Sequence, residues 1–410
     1  MESLGWLHFS PTFRDRVNTI LDMMDEEGMV DELGVGAFRD AFADLFFPGI
    51  STIQTRAKYF FIIPYIIKDY CNLPHKQQTD IGKFMDDAEH EIMWKLAAKY
   101  EFNRASRTGV IGITKRPRNR ISRRPSSIYW NGMRTLGFVK TNLSLSEYFI
   151  RMNETLAQKL TRAISAKNEP GDDLDIELSD GHGIKVSTYR RNWKDELDLP
   201  LEYDEADYFQ KQIAKSVNDS LLGQLVINDK LRKLFFRFKD YEGFAKVAMN
   251  EPINKELKAM ISLAHDLNEV VKGLHWVYCN EINKHHYDDE RYYDTYQVWK
   301  RELYEKLIDP RSLTGDALVL IAPRAGYYSK LFIQKVLEMV QQKTIDYNKL
   351  SQLVINQEKN VKGAKSRFRQ GAEQDFRKGD AKSLSSLNYR FANTKTILKD
   401  IYDGLKKFDA

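Results

Sequence analysis

Cysteine is almost missing from this 410-residue chain. Only Cys71 and Cys279 occur, far apart and each inside an apolar run. Two isolated thiols exclude a disulfide framework and give no zinc spacing, and they point to a reducing, cytoplasmic setting. Long apolar runs are missing as well. The most apolar stretch, Tyr59 to Ile67, is about half the length of a membrane span and reads as a buried helix. Met1 to Trp6 has neither a basic start nor an apolar continuation, so it does not read as a signal peptide. Catalytic signatures are absent too. There is no Gly-x-x-x-x-Gly-Lys-Ser/Thr phosphate loop, no Gly-x-Gly-x-x-Gly after a strand, no Gly-x-Ser-x-Gly elbow and no His-Glu-x-x-His helix. The expectation is a protein that is not an enzyme and needs no cofactor. No repeat of fixed period appears.

What is present is a well-stocked core and one strong charge asymmetry. With 42% hydrophobic and 12% aromatic residues the chain has ample material for folded domains. Charged residues make up 30% and nearly balance, at a net +5. The stretch Phe102 to Ser146 breaks that balance. It holds no Asp or Glu and ten cations: Arg104, Arg107, Lys115, Arg116, Arg118, Arg120, Arg123, Arg124, Arg134 and Lys140. This block alone exceeds the charge of the whole chain. Clustered guanidinium groups without neighbouring carboxylates suit a phosphate backbone. The block therefore predicts a nucleic-acid-binding arm, for DNA or RNA. It leads into a helix from Ser126 or Ser127 to Leu136, closed by Gly137. Tyr129 and Trp130 on that helix are candidates for burial or for base stacking.

The N-terminal part reads as short helices. One starts at Ser10-Pro11 and closes at Gly28. A second opens at Gly34-Val35-Gly36, with Phe38, Ala41, Phe42 and Leu45 as its apolar stripe. A third runs from Thr52 to about Cys71, with Pro64 expected to kink or split it. Short helices joined by tight turns suggest a helix-turn-helix or winged-helix layout. That layout would expose Ser51, Thr52, Gln54, Thr55 and Arg56 at a helix start facing phosphate or base edges. Thr52, Gln54 and Arg56 thus join the candidate nucleic-acid contacts. Asp80 to Tyr100 is an amphipathic helix. Ile81, Phe84, Ala88, Ile92, Leu96 and Tyr100 line one side, and Asp86, Asp87, Glu89, His90 and Glu91 the solvated one. Ser144 and Glu147 form a capping box for a helix to about Lys167.

An acidic tract with Asp172, Asp173, Asp175, Glu177 and Asp180 follows, and alternation on both sides of Gly181-His182-Gly183 predicts a small β hairpin near 174–189. Most of the remainder is helical by period, with a second, diluted basic cluster from Lys359 to Arg390. The fold class expected is mainly α and multi-helical. Boundaries divide it into a helical domain 1–168 with the basic arm, an acidic linker or hairpin 169–203, and a C-terminal helical domain 204–410.

Several stretches carry a resemblance. They are Leu4-Gly5-Trp6-x-x-Phe9, Asp44-Leu45-Phe46-Phe47-Pro48-Gly49, Ser51 to Phe60, Pro125 to Trp130 and Leu387-Asn388-Tyr389-Arg390. With these the chain resembles, end to end, a bacterial family of unknown function found in anti-phage defence gene neighbourhoods. One departure is Phe391, where the family pattern has Trp. The resemblance implies a multi-protein assembly, with a helicase and a phospholipase-D-type nuclease encoded nearby. It implies no catalytic residues. Two other function classes stay open on the residues: a protein–protein scaffold without nucleic-acid binding of its own, and a cryptic nuclease or nucleotide-processing enzyme drawing on Arg39, Asp40, Arg56 and the Asp86–Glu91 carboxylates.

Overall fold

The computed structural model describes residues 31–74, 77–100, 109–113, 121, 123–166, 183–375, 377–379 and 387–408. Among them the chain is mainly helical. The α-helices are α1 Gly36–Phe46, α2 Tyr59–Cys71, α3 Ile81–Tyr100, α4 Pro125–Thr135, α5 Leu145–Ala166, α6 Tyr203–Ser216, α7 Leu221–Ile227, α8 Asp229–Arg237, α9 Tyr241–Ala248, α10 Lys255–Tyr287, α11 Tyr293–Lys306, α12 Gly315–Ile321, α13 Tyr327–Gln341, α14 Tyr347–Lys362 and α15 Phe391–Leu405. The described residues group into two compact units. One takes Pro48–Asn218 and the chain from Asn393 onward, and the other takes residues up to Phe47 together with Asp219–Ala392. These units are not continuous in sequence, whereas the sequence reading drew boundaries after 168 and 203. The helix expected at 10–28 lies outside the described residues.

In the first unit α2 forms the core. Its residues from Tyr59 to Ile67 are all buried, as a helix apolar on every face requires. It runs unbroken through Pro64, so the expected split does not occur. Phe60 packs on Phe209 with ring centroids 4.8 Å apart and on Tyr129 at 5.0 Å, and Phe138 meets Phe209 at 4.9 Å. Helix α4 comes close to this cluster because Gly132 has no side chain. A Cβ there would sit 2.4 Å from the Gly49 carbonyl oxygen. The expected capping box starts α5: Ser144 donates its N–H to Glu147 Oε2 at 2.8 Å, and Glu147 donates its N–H to Ser144 Oγ at 3.3 Å.

Among the described residues no strand forms, and the hairpin near 174–189 is not shown. Residues 174–182 lie outside them. Ile184 makes an antiparallel bridge with Val139 in the chain after α4. A winged helix-turn-helix is not shown either. Helices α1 and α2 fall in different units.

In the second unit the 33-residue α10 is buried around most of its circumference. Asn254 caps its start by accepting from the Leu257 N–H at 2.6 Å. Asp288 ends it in the left-handed conformation at φ 52°. Helix α1 brings Phe42 and Phe46 against Tyr389 and Tyr241. Phe46 stacks on Tyr241 at 5.4 Å, and Tyr241 meets Tyr389 edge-on at 4.7 Å. Both phenols are satisfied by α10: Tyr241 donates to the Ile261 carbonyl at 3.0 Å and Tyr389 to that of Ala264 at 2.7 Å. Leu45, expected in the apolar stripe of α1, is 47% exposed, because the buried face is Phe38, Phe42, Ala43 and Phe46. The helical pattern after 228 resolves into two short helices, α8 and α9, separated where Asp240 caps the second by accepting from the Gly243 N–H at 3.0 Å.

Candidate nucleic-acid interface

Arg104, Arg107, Lys115, Arg116, Arg118 and Arg120 lie outside the described residues. The structure does describe the two places where this segment joins the fold. On the upstream side Val110 is buried. Thr55 donates its hydroxyl to the Gly109 carbonyl at 2.6 Å, and the Ile111 N–H donates to the Tyr59 phenol at 2.9 Å. Gly112 adopts φ +82°, and a Cβ there would lie 2.5 Å from Met93 Sδ. On the downstream side Ile121 is buried at 9% exposure. Its N–H donates to His90 Nε2 at 3.1 Å. Since Nε2 accepts, the proton is assigned to Nδ1, which lies 2.6 Å from the Asp86 carbonyl oxygen and donates to it.

The helix that follows is anchored by a buried carboxylate. Arg124 occupies the cap position of α4 and Pro125 its first turn, so neither Ser126 nor Ser127 is the cap that the sequence suggested. The free amide at the helix start is met from α3. Glu89 accepts from the Ser126 N–H at 2.5 Å and from the Ser126 hydroxyl at 3.0 Å. A carboxylate at a helix start satisfies an orphan donor and faces the positive end of the dipole. The sequence placed Glu89 on the wet face of α3. It is 1% exposed, flanked by buried Met85 and Met93. Burial is the largest influence on it and raises its carboxyl from the ordinary 4.5 to about 7, against the lowering pull of Ser126 and Arg124. Asp86, one turn earlier, lies 3.6 Å from the Arg124 guanidinium. Thus three polar residues of α3, Asp86, Glu89 and His90, hold the downstream foot of the basic segment. Among the described residues no group of three or more His, Cys, Asp or Glu is arranged to hold a metal.

The remaining candidates divide. Arg123, Arg124 and Arg134 are half-buried, and Lys140 is exposed. Arg134 donates from Nε to the Thr141 carbonyl at 3.2 Å. Tyr129 and Trp130 are buried, not presented to bases. The Tyr129 phenol accepts from the N–H groups of Thr55 and Arg56 at 2.8 and 3.0 Å, and Trp130 donates to the Leu143 carbonyl at 3.0 Å.

The Thr52–Arg56 group is not at an exposed helix start, because α2 begins only at Tyr59. Gln54 is 3% exposed and turned inward: its Oε1 accepts from the Ser51 N–H at 3.2 Å and its Nε2 donates to the Gly49 carbonyl at 3.0 Å. The Thr52 carbonyl accepts from Asn393 Nδ2 at 2.7 Å. Arg56 is clamped by Asp400, with Nε 2.9 Å from Oδ2 and the terminal nitrogen 2.8 Å from Oδ1. The Ala57 N–H also donates to Asp400, at 2.9 Å. Nearby, Lys58 and Glu205 form a buried pair at 2.6 Å. The backbone groups of Thr52, Gln54, Thr55, Arg56 and Ala57 therefore find partners far along the chain, in Tyr129, Asn393 and Asp400.

In the second basic cluster Lys362 and Arg367 approach the buried Glu32 at 3.1 and 3.2 Å, and Arg390 pairs with Asp44 at 2.5 Å. Three of its cations are thus met by carboxylates, as a mixed surface predicts.

The class these observations define is a mainly helical protein whose cation-rich segment meets a helical core at Gly109–Ile111 and again at Ile121–Ser126. In comparison with known families, residues 1–186 match one described as a family of unknown function (DUF6361). That span includes the whole basic block and the anchoring residues on α2 and α3, whereas the sequence resemblance ran end to end. No curated protein and no solved structure matches the chain. No helix among the described residues is long and apolar enough to cross a membrane.

Proposed function

We propose that this chain is a non-enzymatic nucleic-acid-binding subunit that grips the phosphate backbone through the 104–140 block. The supporting observation is the acid-free run of ten cations, within which Ile111, Ile121 and Ser126 are hydrogen-bonded to α2 and α3. Contacts on both sides of residues 114–120 lower the ordering cost of binding. The reading rests on the arm and not on Gln54 or Arg56, whose side chains are used internally. The family resemblance extends it to a subunit of an anti-phage assembly, with a helicase and a phospholipase-D-type nuclease as partners. Co-purification of the neighbouring gene products tests that extension.

Duplex DNA binding measured by gel shift over a salt series tests the core reading. Each phosphate contact adds about 0.9 to the slope of log K against log salt, so an arm making four to eight contacts gives a slope of roughly −4 to −7. Changing Arg116, Arg118, Arg120, Arg123 and Arg124 together to Ala is expected to flatten that slope and cost orders of magnitude in affinity at low salt. Unchanged affinity in that variant removes the proposal.

A further inference from the structure

Four of the large apolar side chains exposed in the second unit fall within twelve consecutive positions. Leu320 is 81% exposed, Tyr327 73%, Tyr328 53% and Leu331 37%. Scattered apolar residues on a surface are ordinary, but a cluster marks a contact site. Leu320 ends α12, and the three others begin α13 after the 322–326 link. The platform is firmly seated. The opposite face of α13 buries Ser329, Phe332 and Ile333. Lys330 Nζ donates to the Pro323 carbonyl at 2.8 Å, which ties the link to the helix. Gln334 donates to Asp316 at 3.2 Å and joins the two helices further along. The two tyrosine rings lie 5.6 Å apart at 70° to one another.

The run of sequence that carries them has charge of one sign. From Ala317 to Leu337 there is no Asp or Glu, while Arg324, Lys330 and Lys335 are present. Arg324 and Lys335 are exposed. The nearest carboxylate before this run, that of Asp316, already accepts from Gln334. Exposed aromatic rings flanked by cations without acids match the chemistry of unpaired nucleotides: bases stack on the rings and phosphates meet the cations. A protein partner would more commonly meet a rim of mixed polarity.

We infer that Tyr327 and Tyr328, with Arg324 and Lys335, form a stacking platform for single-stranded nucleic acid. It stands on observations separate from the arm. Fluorescence anisotropy with labelled oligothymidylate tests it on the full chain, with the fold of each variant checked by circular dichroism. The Tyr327→Ala/Tyr328→Ala variant is expected to bind roughly tenfold more weakly per lost ring, from the usual cost of removing a stacking partner. Tyr327→Phe/Tyr328→Phe keeps the rings and is expected to keep wild-type affinity. The same loss is expected in a chain whose arm arginines are already Ala, which separates this platform from the arm. If the arm variant binds duplex normally while the tyrosine loss persists, the arm reading fails and the platform stands. Wild-type affinity in the Ala variant, or no oligothymidylate binding by the wild type, overturns the platform. Loss of a co-purifying protein with oligonucleotide affinity unchanged also overturns it and assigns the patch to a protein partner.

Discussion

Replacing Glu89 by Gln removes one proton-binding group from the foot of the cation-rich segment and leaves its shape nearly unchanged. Burial holds the Glu89 carboxyl protonated up to about pH 7, against an ordinary value of 4.5 in an unfolded chain. Between those two values the folded state binds a proton that the unfolded state has released. Stability therefore falls as pH rises through this window, by about 1.4 kcal/mol per pH unit. Across the window from 4.5 to about 7 the loss amounts to about 3 kcal/mol. It is complete above the folded value, and below 4.5 no further gain is expected. An amide at this position still accepts from the Ser126 N–H, and the Ser126 hydroxyl can turn to accept from the new NH₂ group. Urea unfolding of both proteins at a series of pH values gives the difference in stability, in which every other titrating group cancels. The difference is expected to shift toward the Gln variant by about 3 kcal/mol as pH rises across the window. A flat difference would refute the reasoning, since it would mean that the carboxylate keeps access to water and does not cap α4 from the interior.

Two further outcomes follow from single contacts. Asp400→Asn leaves the Arg56 guanidinium and the Ala57 N–H facing a neutral amide in place of the carboxylate that now accepts from both. A loss of roughly 3 kcal/mol in urea unfolding is expected, because breaking a largely buried pair strands the other charge; a loss near zero would show the pair to be solvent-screened. Gly273→Ala on α10 places a Cβ 2.1 Å from the Trp299 ring. Since Trp299 is itself held by a 2.8 Å hydrogen bond to the Glu269 carbonyl, overpacking is expected to cost about 1–3 kcal/mol. An unchanged unfolding midpoint would show that α11 yields freely.

Much of the helical content was legible because periodicity and caps act locally. The Ser144–Glu147 box and the all-round apolar α2 are written into windows of a few residues. Partners distant in sequence are not. Helix α2 starts at Tyr59 instead of Thr52 because Tyr129, Asn393 and Asp400 satisfy the preceding backbone. Glu89 read as a solvated residue because its neighbours Asp86, Asp87 and Glu91 are polar, while its hydrogen-bond partner is 37 residues away. Leu45 misleads in the opposite direction: apolar type suggests burial, and only the packing of α1 shows which side of the helix the core takes.

By itself the sequence determined the helical class, the absence of a membrane-length apolar run and the charge excess between Phe102 and Ser146, because composition and local period depend only on neighbours along the chain. Tertiary structure alone decided where that charge is anchored and which polar groups are consumed inside. Arg56 meets Asp400 across 344 positions. No local signal can encode such a pair, since its energy exists only once folding has removed both groups from water.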